Sequence, residues 1–171
     1  MGDGSINVIL PMTFLGDNSA ENIRIISASI ESKWTGNIDG RNIRTTVVPE
    51  VLAGVENFTI ITNGPATGGN GDGHSYVQGG NTAHISMLDI KSRGIAQPDG
   101  SVTVSSKGDA TPAHEGGHLM GVPDSKQTGA GLMDSGGGKN PTGQDVDKLL
   151  AEPQPGRARN SLNYCTPSGC D

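Results

Sequence analysis

Residues 111–133 read TPAHEGGHLMGVPDSKQTGAGLM, and the most informative part of this stretch is the run His114-Glu-Gly-Gly-His118. Two histidines four positions apart lie one above the other on a helix, so both imidazoles can reach the same ion. Glu115 directly follows the first histidine, where its carboxylate can take a proton from a water activated by that ion. The spacing H-E-x-x-H therefore predicts a helix that carries a zinc site.

The predicted zinc helix has its own start and stop signals. Thr111 is a good N-cap, and Pro112 suits the first helical position because that position needs no backbone donor. Gly121 predicts the end of the helix, since glycine readily adopts the left-handed conformation found at helix termini. These signals place both histidines within one short helix.

Two residues further along complete the pattern. Asp124 lies three residues after Gly121, so a tight turn would bring its carboxylate back to the ion held by His114 and His118. Two nitrogens and one oxygen would then hold zinc and leave the fourth position for water. Met133 lies in a glycine-rich turn, where its soft apolar side chain would form a floor beneath the histidines.

The run HEGGHLMGVPD at 114–124, followed by Gly-Leu-Met at 131–133, resembles the active-site motif of the metzincin zinc endopeptidases. That motif is H-E-x-x-H-x-x-G-x-x-H followed by a methionine turn. Asp124 stands where the motif has its third histidine, and this departure is most similar to the snapalysin type, a group of small secreted bacterial proteases. The resemblance is confined to this part of the chain, so it concerns the site more than the whole protein.

The resemblance implies a role for each matched residue. His114, His118 and Asp124 would be the zinc ligands, and Glu115 would be the catalytic general base. Met133, together with Gly121, would support the site without binding the metal.

The rest of the chain predicts an α/β (α+β) fold. Strands are indicated by short runs rich in apolar or β-branched residues and bounded by turn formers: Ile6–Leu10, Arg44–Val48, Phe58–Thr62 and Thr82–Ile90. Asn18 and Glu21 form a predicted capping box before an amphipathic helix that carries Trp34 into the core. Thr142 predicts the cap of a carboxy-terminal helix that ends before Pro153.

We predict one domain over residues 1–171, in which residues from about 152 to 171 form an irregular tail. The resemblance implies a small mixed twisted sheet with an amino-terminal helix, a zinc-binding active-site helix and a carboxy-terminal helix. It also implies that the strand before the zinc helix, Thr82–Ile90, is the exposed sheet edge on which an extended substrate pairs. A turn at 98–100 and alternation at 101–105 predict a hairpin leading into the zinc helix.

Residues Asn63–Asn81 are dominated by glycine and small polar residues, which predicts a long loop. Asn70 and Asp72 offer oxygen donors that could bind calcium. Asp72, His74 and His84 could instead form a second metal site. A solvated loop with an exposed histidine is the plainer alternative.

Two other pairs of residues have open roles. Cys165 and Cys170 could close a small disulfide loop in an oxidising compartment, or stay reduced in a cytosol. A tyrosine sometimes helps to bind the tetrahedral intermediate in such enzymes, and Tyr76 or Tyr164 could do so here.

Charge and hydropathy exclude some partners. The net charge is −6 and the 12 basic residues are scattered, which argues against nucleic acid as a partner. No apolar run approaches the length of a membrane span. No charged-then-apolar leader opens the sequence, so for an exported protein we expect a mature or excised form, or export by another route. We expect a monomer that acts on a protein or peptide substrate and is secreted or delivered outside the producing cell.

These features predict a zinc metalloendopeptidase with one catalytic Zn²⁺. It would be either a secreted bacterial protease or the toxic effector domain of a polymorphic toxin, which would have a proteinaceous inhibitor, an immunity protein, as a further partner. A different class of protein is the alternative, a zinc-containing binding module in which catalysis has lapsed, and the intact Glu115 argues against it. A structural zinc site normally has four protein ligands, whereas this pattern supplies three.

Overall fold

The computed structural model describes residues 5–54, 57–63, 75–86, 94–96, 102–104, 110–125, 131–134, 140–151, 165–166 and 169–170. Ten strands and three helices lie in these ranges: β1 (Ile6–Gly16), α1 (Ala20–Trp34), β2 (Gly36–Ile38), β3 (Arg41–Val48), β4 (Phe58–Asn63), β5 (Tyr76–Gln78), β6 (Thr82–Ser86), β7 (Gly94–Ala96), β8 (Val102–Val104), α2 (Ala110–Leu119), α3 (Gly143–Leu150), β9 (Cys165–Thr166) and β10 (Gly169–Cys170). A mixed sheet with helices confirms the predicted class at this coarse level.

The longest strand, β1, has two sets of partners in the mixed sheet. Residues 6–11 pair in parallel with β3, and residues 12–16 pair in parallel with β4. Pro11 lies where the partner changes, and since proline has no backbone N–H, it fits a place where the ladder is interrupted. The strand therefore runs on to Gly16, whereas the sequence predicted that it would end before Pro11.

The sheet continues from β4 to β6 in parallel and from β6 to β5 in antiparallel fashion. The first three residues of β6, Thr82–His84, are consequently paired on both sides, so the prediction that Thr82–Ile90 forms the exposed edge is wrong for these residues. The outer strand is β5, which lies in the segment predicted to be a loop. Short strands among glycines give little sequence signal, which is why β5 was missed.

A hairpin formed by β2 and β3 was also missed. Its two strands meet in register at Ile38 and Arg41, which leaves Asp39 and Gly40 as a two-residue connection. Both residues have positive φ, 52° and 80°, as the twist of such a hairpin requires. Asp-Gly is a recognised signal for this turn.

This hairpin contacts helix α3. Arg41 Nη2 lies 2.6 Å from Asp147 Oδ1, and the carboxylate of Asp39 lies so close to Gly143 that a Cβ there would overlap it. Thr142 caps α3 as predicted, because its hydroxyl accepts from the backbone N–H of Asp145 while Asp145 Oδ2 accepts from the N–H of Thr142. An early hairpin and a late helix are thus held together.

Helix α1 begins one residue later than predicted. Ser19 is its N-cap, since the Ser19 hydroxyl accepts from the backbone N–H of Asn22 at 3.2 Å. Asn18, the predicted cap, instead donates from its amide nitrogen to the carbonyl of Phe14. Trp34, at the other end of the helix, is fully buried, as predicted.

The core lies between the sheet and the helices, and α1 packs on α2 within it. Trp34 Nε1 donates to the carbonyl of Ala113 at 2.9 Å, which satisfies the indole N–H in the interior. At Gly116 a Cβ would lie 3.0 Å from Ile30 Cγ1, so the helices approach closely there. Ten further core side chains among the described residues come from alternate positions of β1, β3, β4 and β6, including Leu10, Ile60 and Ile85.

Two short hairpins lie later in the chain. β7 and β8 pair in antiparallel fashion, which confirms the hairpin predicted before α2. In the tail predicted to be irregular, β9 and β10 place Cys165 opposite Cys170, and Cys165 also pairs with Asn7 of β1. Within the described ranges, no helix is long and apolar enough to cross a membrane.

We predict that Ser19→Ala lowers the free energy of unfolding by about 1 kcal/mol, because the variant loses the cap of α1. The exposed residue Glu21 would be part of the cap if Asn18 were the N-cap, so Glu21→Ala is the matched control and should change stability by less than about 0.5 kcal/mol. Urea denaturation followed by circular dichroism measures both. A larger loss in Glu21→Ala than in Ser19→Ala would contradict the assignment.

Candidate metal centre

The candidate site is built on helix α2. This helix begins at Ala110, so Thr111 is its second residue, and the prediction that Thr111 is the N-cap is wrong by two positions. Pro112 still lies in the first turn, where backbone N–H groups have no partner within the helix, so its missing donor costs nothing. His114, Glu115 and His118 all lie on α2, as the motif predicts.

Gly121 ends the helix in a Schellman motif. Its φ is +83°, its N–H donates to the carbonyl of His118 at 2.9 Å, and the N–H of Val122 donates to the carbonyl of Gly117 at 2.9 Å. This is the left-handed stop that the sequence predicts. The chain leaves the helix in a direction that brings the next residues back beside it.

The three predicted ligands meet as a result of that turn. Asp124 Oδ1 lies 3.3 Å from His114 Nε2 and 3.3 Å from His118 Nε2. One donor atom from each residue falls within 4.8 Å of the other two, and among the described residues this is the His/Cys/Asp/Glu group that could hold a metal ion. The imidazole rings are nearly perpendicular, at 89°, with centroids 4.7 Å apart.

Backbone carbonyls hold both histidines from behind. His114 Nδ1 lies 2.8 Å from the carbonyl oxygen of Leu132, and His118 Nδ1 lies 2.9 Å from that of Val122. A carbonyl oxygen only accepts, so each Nδ1 must carry the proton and donate it. In the neutral rings both Nε2 atoms then present lone pairs toward Asp124, as metal-binding histidines do.

The site is open on its aspartate side. The side chains of His114 and His118 are 23% and 21% exposed, whereas that of Asp124 is 63% exposed. Glu115, by contrast, is 5% exposed. Burying a carboxylate costs free energy, so the burial of Glu115 beside His114 indicates a structural or functional role.

The turn at Gly131–Asp134 forms the floor of the site. Met133 is completely buried beneath α2. A Cβ on Gly117 would overlap Met133 Sδ and would lie 2.9 Å from Trp34 Cζ2, so only glycine fits at this position of the helix. This role of Gly117 was not predicted, although a glycine inside a helix, which costs about 1 kcal/mol relative to alanine, is itself a signal of close packing.

Backbone hydrogen bonds tie this turn to the segment that carries Asp124. The N–H of Ser125 donates to the carbonyl of Met133 at 2.6 Å, and Ser125 forms a parallel bridge with Asp134. The N–H of Leu132 donates to the carbonyl of Asn140 at 2.8 Å. These bonds fix the turn from both sides.

The other predicted site residues are not part of this group. His84 lies on β6 and stacks on Tyr76 of β5, with ring centroids 4.5 Å apart and an interplanar angle of 6°. Asn70, Asp72, His74 and Tyr164 lie outside the described residues. The calcium site and the second metal site therefore stay predictions from sequence.

No protein-family model matches this chain, and a search of curated proteins finds no significant match either.

We predict that Gly117→Ala destabilises the protein by roughly 1–3 kcal/mol, because the new methyl group overpacks the contact between Met133 and Trp34. Gly116→Ala adds the same methyl group one position earlier, where the nearest atoms are the side-chain carbons of Ile30 at 3.0–3.3 Å. It should cost less, since these contacts are less severe than the overlap at Gly117 and alanine favours the helix. Thermal unfolding of both variants checks this, and equal losses would contradict the packing argument.

Proposed function

We propose that this chain is a zinc-dependent endopeptidase with a metzincin-like fold. The observation that carries the proposal is the convergence of His114 Nε2, His118 Nε2 and Asp124 Oδ1, with both Nδ1 atoms already engaged by carbonyls. The arrangement of the zinc helix, the glycine stop, the buried methionine turn and the closing helix α3 supports the same reading. In this proposal Met133 and Gly121 shape the site without binding the metal.

The donor atoms fit zinc in kind and in spacing. Zinc binds imidazole nitrogen and carboxylate oxygen in tetrahedral geometry at about 2.0–2.1 Å, which places two donors roughly 3.3–3.4 Å apart. The two distances from Asp124 Oδ1 to the histidine Nε2 atoms are both 3.3 Å. Three protein ligands leave a fourth position for water, which is typical of catalytic zinc sites.

The residues of the site then have distinct tasks. Zinc, when bound, would polarise the attacking water and the peptide carbonyl. The carbonyls of Leu132 and Val122 keep His114 and His118 in the tautomer that offers Nε2. Glu115 accepts the proton of the attacking water and passes it to the leaving amine. The burial of Glu115 limits competing solvent at its carboxylate.

Substrate binding would use the edge of the sheet. Among the described strands, β5 pairs with β6 alone, so its other edge is open to an extended peptide. Strand addition of this kind supplies affinity through main-chain hydrogen bonds. The edge strand of the proposal is therefore Tyr76–Gln78, in place of Thr82–Ile90.

The biological setting of this activity belongs to the proposal as well. The substrate would be a protein or peptide, and the enzyme would act as a monomer outside the producing cell, as a secreted protease or as a toxin effector. An effector would be encoded beside a small immunity protein that neutralises it. A binding module that has lost catalysis would instead keep zinc and cleave nothing.

We predict about one zinc per chain in the wild type and in Glu115→Ala, with cleavage of an unfolded protein substrate only in the wild type. Glu115 does not bind the metal in this proposal, so its removal abolishes proton transfer and spares zinc. Metal content by mass spectrometry and a cleavage assay with and without a chelator measure these outcomes. Absence of zinc from the wild type would refute the proposal, and zinc without cleavage would favour the binding module.

We also predict that Asp124→Ala weakens zinc binding by more than the roughly 10- to 100-fold that is typical of changes outside the coordination shell. Asp147→Ala is the matched control, because Asp147 is also 63% exposed and pairs with a single cation, Arg41. Competition with a chelating dye gives both affinities. Equal affinities in the two variants would show that Asp124 is not a ligand.

A further inference from the structure

We propose that Asp134 is a positioning residue of the metal centre, which holds the turn at Gly131–Asp134 in the shape that orients two of the three ligands. The inference rests on the proposed function, because it assumes that His114 and Asp124 bind zinc. Asp134 was not among the residues that the sequence motif singled out. Its place immediately after Met133 gave no indication of its contacts.

Asp134 closes the turn through two hydrogen bonds to Gly131, the first residue of the turn. Its side chain is buried, with 4% of the residue exposed, and Oδ2 accepts from the backbone N–H of Gly131 at 2.7 Å. The N–H of Asp134 in turn donates to the carbonyl of Gly131 at 3.2 Å. A carboxylate bound to a backbone N–H makes a charge-assisted hydrogen bond, stronger than a neutral one. The four residues are therefore fixed relative to one another.

The two middle residues of the turn present their carbonyls to the metal site. The carbonyl of Leu132 accepts from His114 Nδ1 at 2.8 Å. The carbonyl of Met133 accepts from the N–H of Ser125 at 2.6 Å, and Ser125 directly follows Asp124. One turn consequently sets the orientation of one histidine and the position of the aspartate.

The remaining ligand, His118, is oriented by a carbonyl outside this turn. Its Nδ1 donates to the carbonyl of Val122, four residues further along the same segment, where the Schellman motif fixes the backbone. A change at Asp134 should thus disturb two ligands and leave the third in place. The expected result is weaker binding with altered coordination geometry.

Three variants test the inference. Asp134→Ala removes the acceptor for the Gly131 N–H, and we expect zinc affinity to fall about 10- to 100-fold, as for other residues that orient metal ligands. Asp134→Asn keeps an oxygen in the same place and should recover most of the affinity. Asp134→Ser replaces the alanine variant if that variant fails to fold. Serine keeps a polar group in the buried turn, but its hydroxyl is too short to reach Gly131, so zinc affinity should fall as far as is expected for alanine.

The readouts separate positioning from stability. Zinc affinity comes from competition with a chelating dye, geometry from the visible absorption spectrum of the cobalt-substituted protein, and kcat and KM from assays at saturating zinc. We expect a changed cobalt spectrum and a lower kcat with little change in KM. Ser19→Ala is the matched control, because it also removes a side-chain oxygen that accepts from a backbone N–H, in this case in α1.

The outcomes distinguish this inference from the proposed function. If the wild type binds no zinc, the proposed function fails before Asp134 is tested. Positioning by Asp134 is refuted if the wild type binds zinc and the folded alanine or serine variant binds it with an affinity within twofold of wild type and with an unchanged cobalt spectrum. Equal losses in Asp134→Asn and Asp134→Ala, or a loss no greater than that in Ser19→Ala, would refute it as well.

Discussion

Two hydrogen bonds from histidine Nδ1 atoms to backbone carbonyls determine how the candidate metal centre is arranged. Imidazoles four residues apart on a helix can turn in several directions, and these bonds select the one in which both Nε2 atoms point at Asp124. The two carbonyls come from different places. Val122 follows the helix directly, whereas Leu132 belongs to a separate turn, so the site forms only when that turn packs beneath α2.

That packing depends on small residues in α2. Gly116 lets α2 approach Ile30 of α1, and Gly117 leaves room for Met133. The sequence His-Glu-Gly-Gly-His therefore meets two requirements. It places the candidate ligands on one side of the helix, and on another side it has no side chains that would keep Ile30 and Met133 away. Each glycine weakens the helix by itself, and tertiary contacts with α1 and Met133 offset that loss.

Features set by local chemistry could be predicted from the sequence. The left-handed stop at Gly121 and the cap at Thr142 depend on residues within one turn of the helix, so their patterns are sufficient. The buried Trp34 follows from the apolar periodicity of α1. The convergence of the three candidate ligands could likewise be predicted, since it is fixed by helical geometry and a short turn.

Features that depend on distant contacts were missed or misplaced. β5 contains the strand formers Tyr76 and Val77, but it is only three residues long and lies among glycines, so it is a strand because β6 lies beside it. Asn18 and Ser19 are both good caps, and the carbonyl of Phe14, which engages Asn18, decides between them. The role of Asp134 depends on the folded turn, so no residue pattern around it could have indicated that role.

The complete burial of Met133 has a consequence for the chemistry of its sulfur. Oxidation to a sulfoxide would add a polar oxygen to Sδ, at a contact where the backbone of Gly117 leaves no room even for a methyl group. Oxidants can therefore reach this thioether only when the turn separates from the helix. The packing that supports the candidate site therefore also shields its methionine from oxidation.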